Sequence, residues 1–214
     1  MGNNDPWADA QRLEGYAGEV RVNFIRAAAL AVFYCNHLLN YYVFRTDPPI
    51  TEQFHGRVTA VVLIWMFGVL LLHIFLTRRF VPPALKFLAA GGDLALLTLM
   101  LALSGDGPHS PLMLIYFLII ATAPLRLSLP LVYATTVGAA AASMLLLGYQ
   151  YYFLIGPDNY YNVDPKDSRR IDQTVQIIYL LSLGAAGVLT GQMVRQARRL
   201  VEGYTVAVDE TREG

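Results

Sequence analysis

The stretch at residues 58–76 reads VTAVVLIWMFGVLLLHIFL and holds no Asp, Glu, Lys or Arg. A bilayer core of about 30 Å is spanned by roughly 20 apolar residues in an α-helix. This segment has that length, and Arg57 on one side and Arg78 and Arg79 on the other bracket it. Five further stretches read the same way, at 22–44, 83–103, 112–125, 130–153 and 171–194. The fourth of the six, 112–125, is the shortest. Pro124 lies inside it and Arg126 closes it, so it is expected to be kinked or incomplete. The reading is an all-α polytopic membrane protein, a bundle of about six transmembrane helices.

Composition agrees. Of 214 residues, 55% are hydrophobic and 15% charged, where a soluble domain carries about 25% charged residues. Formal net charge is zero, so nothing draws the chain to nucleic acid. Cys35 is the single cysteine, which rules out an intrachain disulfide; its apolar neighbours suggest a small buried residue without redox function. Residues 1–20 lack the basic-then-apolar order of a cleavable signal.

Basic residues set the orientation. With the N-terminus in the cytoplasm, eleven of the sixteen Lys and Arg fall on the inner side, Arg78, Arg79, Lys86, Arg126 and Arg195 among them. The positive-inside rule therefore places both termini in the cytoplasm, across a cell inner (plasma) membrane. Tyr41, Tyr42 and Phe44, and Tyr149, Tyr151, Tyr152 and Phe153, then form belts at the outer interface. Three regions follow: a cytoplasmic or interfacial segment at 1–21, a six-helix domain at 22–194 and a cytoplasmic amphipathic helix or tail at 195–214. The polar loop at 156–170 would cap the outer face.

Two helices carry small residues at packing spacings. Ala134, Gly138 and Ala142 recur every four residues, and Gly187 and Gly191 form a small-xxx-small pair with Gly184 nearby. In lipid such residues let backbones approach, either inside the bundle or across a homodimer face. Beyond the sixth helix, Val194, Ala197, Val201, Tyr204 and Val208 step by three and four. That is coiled-coil a/d spacing over about two heptads. It suits a signalling helix, or a helix extension lying in the headgroups.

Ionisable groups inside a membrane are costly, so each is a functional candidate. Asp93 sits halfway along the third helix, after Gly91 and Gly92. It needs a proton, a cation or a donor. Lys86 lies on roughly the same face, about 10 Å along the axis, and Arg26 is another possible partner. The role is a proton or ligand site, or a polar contact between helices. His37 and His73 lie roughly 15 Å apart in depth and cannot share one metal. His37, His55 and His109 could instead gather at the outer side with Asn36, Asn40 and Asp106 as a polar pocket. No pair has close ligand spacing, so no metal site is expected.

Catalytic signatures are missing. There is no P-loop, G-x-G-x-x-G, H-E-x-x-H or G-x-S-x-G, and the expectation is a protein that is not an enzyme. Residues 84–147 have a further pattern: a helix with mid-membrane Asp93, the turn Ser104-Gly105-Asp106-Gly107, the step Ser110-Pro111-Leu112, an apolar helix, a basic turn at Arg126 and another apolar helix. This resembles the membrane sensor region of bacterial histidine kinases of the RegB/PrrB and PilS type, without the kinase domain. Asp106 to Leu112 matches one glycine and the proline of the quinone-responsive G-G-x-x-N-P-F motif of the RegB branch. The resemblance implies a ligand region including Asp93, His109, Ser110 and Pro111, with quinone as a possible ligand. Members of that family continue into a dimerisation helix and kinase core. The chain would then be a stand-alone relative working through a partner, or the membrane part of something longer.

The expected function is a sensory module. A small apolar or redox-active molecule would bind near Asp93, His37, Asn40 and His109, and the C-terminal helix would signal to a homodimer mate or protein partner. The alternatives are a structural subunit of a larger membrane complex and a six-helix substrate-binding component of a transporter.

Overall fold

A computed structural model describes residues 6–44, 51–78, 82, 84–104, 107–126, 128–156 and 173–213, without the side chains of 6–15, 109, 154–155 and 201–213. Among the described residues every regular element is helical and no strand occurs. Among the described residues six α-helices follow in order: α1 Pro6–Leu39, α2 Glu52–Thr77, α3 Leu85–Ser104, α4 Ile115–Thr122, α5 Leu129–Tyr149 and α6 Gln173–Glu213. π-helical turns extend α1 over Asn40–Phe44 and α5 over Gln150–Ile155. Among the described residues five spans are long and apolar enough to cross a membrane: Tyr16–Phe44, Glu52–Thr77, Leu85–Ser104, Leu129–Phe153 and Gln173–Leu200. The chain is a multi-pass membrane protein.

The shorter apolar segment, Pro111–Arg126, still runs from one end of the bundle to the other. At one end Arg126 pairs with Glu19 and bonds the Lys86 carbonyl, and Lys86 bonds Ser128. At the other end Gly107, just before the segment, packs against Gln150, past the end of α5. The sixteen residues manage this because half are stretched. Pro111–Leu114 and Ala123–Arg126 are 3-10 turns flanking the eight residues of α4. At about 2.0 Å per 3-10 residue and about 1.5 Å per α residue, the segment covers about 28 Å. Proline explains both ends. Pro111 occupies the first turn, where no N–H is needed, while Pro124 removes the donor that would continue α4. The segment expected to be incomplete is thus short in residues but spans the bundle.

The bundle is apolar outside as well as inside. Phe24, Leu145 and Leu181 are 74%, 71% and 67% exposed, a surface suited to acyl chains rather than water. The interior gathers Leu30, Trp65, Leu97, Tyr116, Ala139 and Leu183, one from each helix. Hydroxyls are satisfied locally: Thr98, Thr135, Ser182 and Thr190 each donate to the carbonyl four residues back.

Several sequence expectations are corrected. Cys35 is exposed, not buried, because apolar neighbours on a membrane helix mark the lipid side as readily as the core. α1 begins at Pro6, inside the segment at 1–21, and runs without a break into the first span. Of the packing row on α5, Ala142 joins the core and a Cβ on Gly138 would meet Leu94, but Ala134 is exposed. A row at four-residue steps drifts about 40° per step around a helix of 3.6 residues per turn, so its first member turns away. Gly187 and Gly191 face the bundle itself. A Cβ on Gly187 would overlap Thr136, and Gly191 lies against Tyr133 and Leu129. α6 continues to Glu213 as one helix of 41 residues, about 60 Å long. The first heptad residue, Val194, is buried with Ala90, Leu131 and Val132. Ala197 is half-buried. The side chains of Val201, Tyr204 and Val208 lie outside the described residues, as does the loop at 157–172.

Candidate functional site

α1 carries a polar stripe at Glu19, Asn23 and Arg26, stepping by four and three on one helical face. All three turn inward. At mid-depth Arg26 meets Asp93: Nε donates to Oδ2 at 2.7 Å and Nη2 lies 2.5 Å from the same oxygen. The Trp65 indole N–H donates to the other carboxylate oxygen at 2.8 Å. Arg26 Nη1 donates to Asn23 Oδ1 at 3.3 Å, and Asn23 donates to the Val69 carbonyl at 3.3 Å. The network ties α1, α2 and α3 together. Asp93 thus has both a cation and a neutral donor, which is what a carboxylate in a low-dielectric interior requires. Lys86 is not its partner and donates instead to Ser128 Oγ at 3.1 Å.

Toward the termini, Glu19 and Arg126 form a second pair at 3.2 Å, each with a side chain 4% exposed. Gly18 sits against the Leu125 backbone so closely that any Cβ would overlap it. Here the missing side chain permits helix contact. This seals α1 to the end of the fourth segment. At the opposite end α1 leans on α2 instead, through Tyr34 with Thr59 at 3.2 Å and His37 with His55 at 3.0 Å.

Between these contacts lies a cleft of about 560 Å³, walled by α1, α3 and the fourth segment. Val22, Ile25, Leu30, Phe33, Leu97, Met100, Leu112, Ile115 and Ile119 line it, and Ala28 and Ala29 leave it room. Arg26, Asp93, Trp65 and Thr122 supply its few polar groups. A mostly apolar hollow with a small convergent polar cluster is the usual form of a small-molecule site.

The expected ligand residues divide between two levels. Asp93 lines the cleft at mid-depth. His37 lies eleven residues beyond Arg26 on α1, about 16 Å along the axis, edge to edge with His55, ring centroids 5.2 Å apart. Tyr41 stacks on His55 with ring centroids 4.0 Å apart. Asn40 opens the π-helical turn beyond His37 and is half-buried. Ser110 caps the 3-10 turn by accepting from the Leu112 N–H at 3.3 Å, and Pro111 is exposed. Their role is to start the segment that carries Leu112 and Ile115 into the cleft. The side chain of His109 and all of Asp106 lie outside the described residues. Among the described residues no group of three or more metal-ligating side chains occurs.

Sequence reasoning missed Trp65, Asn23 and the Glu19–Arg126 pair. The stripe spacing of Glu19, Asn23 and Arg26 was a readable signal. Trp65 gave none, since a tryptophan in an apolar run looks like core. No family model, curated protein or solved structure matches the chain.

Proposed function

We propose that the chain is a membrane-embedded sensory or regulatory module that binds a small apolar or redox-active molecule in the cleft beside Arg26, Asp93 and Trp65. The observation that carries this reading is the cleft itself, with a satisfied ion pair in its wall midway along α3. Contacts to Asp93 and Asn23 use three N–H groups of Arg26. A guanidinium has five, so two remain to donate to a ligand. The charge of Arg26 is already balanced by Asp93. A neutral acceptor such as a carbonyl is therefore favoured over an anion, and a quinone is the redox-active member of that class.

A route for output supports the same reading. Tyr179 on α6 donates to the Met113 carbonyl at 2.7 Å, in the 3-10 turn whose neighbours Leu112 and Ile115 line the cleft. α6 then runs through the bundle and on to Glu213. A ligand that prefers one placement of the fourth segment would bias α6 by its difference in affinity for the two states. The output goes to a second copy or a protein partner at the cytoplasmic end, and the membrane is the bacterial inner membrane with both termini in the cytoplasm.

Mass spectrometry of protein purified gently from its native membrane tests this. The expected result is a retained small amphiphile that is lost from Ala29→Phe, which fills the cleft. Equal retention by the variant, or no small molecule beside stoichiometric partner proteins, would replace the sensor with a structural subunit.

A further inference from the structure

A second cleft, of about 200 Å³, lies on the other side of the Arg26–Asp93–Trp65 cluster, between α2 and α3. Gly68 and Gly92 hollow it out: a Cβ on either would meet nothing within 4 Å. Its walls run from Trp65 and Asp93 at mid-depth to Phe75 and Leu85 near the end of the bundle where Arg126 lies. Ten residues separate Trp65 from Phe75, so the cleft is about 15 Å long. Apart from the closed polar cluster at its head, the lining is apolar.

Arg78 stands three residues beyond Phe75, on the same face of α2. It is exposed and follows the last turn of the helix. Trp65 is at the middle of α2, and Arg78 lies thirteen residues further, about 20 Å along the axis. The headgroup layer begins about 15 Å from the bilayer midplane and ends at roughly 20–22 Å. The apolar cleft therefore spans the acyl layer of one leaflet, and a guanidinium stands at phosphate depth over its mouth. Arg79 follows in the sequence.

We propose that the α2–α3 cleft binds one acyl chain of an anionic phospholipid from the leaflet on the side of the termini, with its phosphate held at Arg78. The chain lies against Gly68 and Gly92 and ends below Trp65. The headgroup preference comes from Arg78, because a zwitterionic lipid brings its own cation to the phosphate and an anionic one does not. This site does not depend on the sensor reading, since it faces the opposite side of the ion pair.

The test is native mass spectrometry of the full chain in nanodiscs of phosphatidylglycerol and phosphatidylcholine. One lipid should be retained, with a preference of about fivefold for phosphatidylglycerol, the effect of one arginine near the surface. Arg78→Gln, at an exposed position, should remove that preference, lowering phosphatidylglycerol retention to the level of phosphatidylcholine. Gly68→Leu should lower retention of both lipids at least tenfold. Equal retention of the two lipids by the unaltered protein would overturn the proposal. So would a preference that survives Arg78→Gln, or full retention in Gly68→Leu.

Discussion

Arg26 and Asp93, 67 residues apart in sequence, form a side-chain ion pair at mid-depth, with exposures of 9% and 12%. The pair joins the first and third helices. It also separates two clefts, since both residues line each of them. Its two halves depend on each other, because either charge alone is costly in that interior.

That dependence gives the first prediction. Asp93→Asn keeps an acceptor for Trp65 but leaves the Arg26 charge unpaired, and should cost about 3–5 kcal/mol. Adding Arg26→Met removes the stranded charge and should recover much of the loss. Unfolding of the single and double variants in detergent measures this coupling. Losses that simply add would show that the two groups do not act as a pair.

Trp65→Phe keeps a ring in the core and deletes one N–H donor to Asp93. The expected loss is about 1–3 kcal/mol, the cost of a buried acceptor left short of a partner. The same unfolding measurement checks it, and unchanged stability would mean that Asp93 is satisfied by Arg26 alone. If the main cleft binds a ligand as proposed, this variant should also weaken binding, since its polar wall loosens.

The helices were legible because lipid imposes a simple rule: about 20 apolar residues per crossing. That rule found 58–76 and its neighbours, and it undercounted only the fourth segment, where 3-10 turns lengthen the rise per residue. Asp93 was legible for a related reason, as a charge where charges are costly. Its partner was not, because the sequence leaves both Lys86 and Arg26 within reach and only the rotation of α1 decides between them. The direction a helix faces was the weak point. Cys35 and Ala134 are apolar or small in apolar surroundings, and such residues carry no mark separating a lipid face from a protein face.

The glycines of α6 offer a test of that distinction. Gly187 faces Thr136, with no space for a Cβ, while Gly184 has nothing within 4 Å. Gly187→Leu should destabilise the α5–α6 pair by about 1–3 kcal/mol, the usual cost of overpacking. Gly184→Leu should be tolerated. Thermal unfolding of the two variants side by side decides it. Equal tolerance would mean that α6 sits farther from α5 than this packing requires.

The last prediction concerns the path from cleft to helix. Tyr179 donates to the Met113 carbonyl, and its ring packs edge-on against Phe117 at 5.5 Å. Tyr179→Phe keeps the ring and removes the hydrogen bond, at a cost of about 1 kcal/mol. Tyr179 is not among the residues lining the cleft, so ligand affinity should stay within about twofold, a smaller change than the tenfold that 1.4 kcal/mol represents. The ligand-induced displacement of α6, read by spin labels at Gln196 on α6 and Arg78 at the end of α2, should shrink. Labels that move as far in Tyr179→Phe as in the unaltered protein would exclude this bond as the link. Binding lost together with movement would mean that the tyrosine shapes the cleft rather than reporting on it.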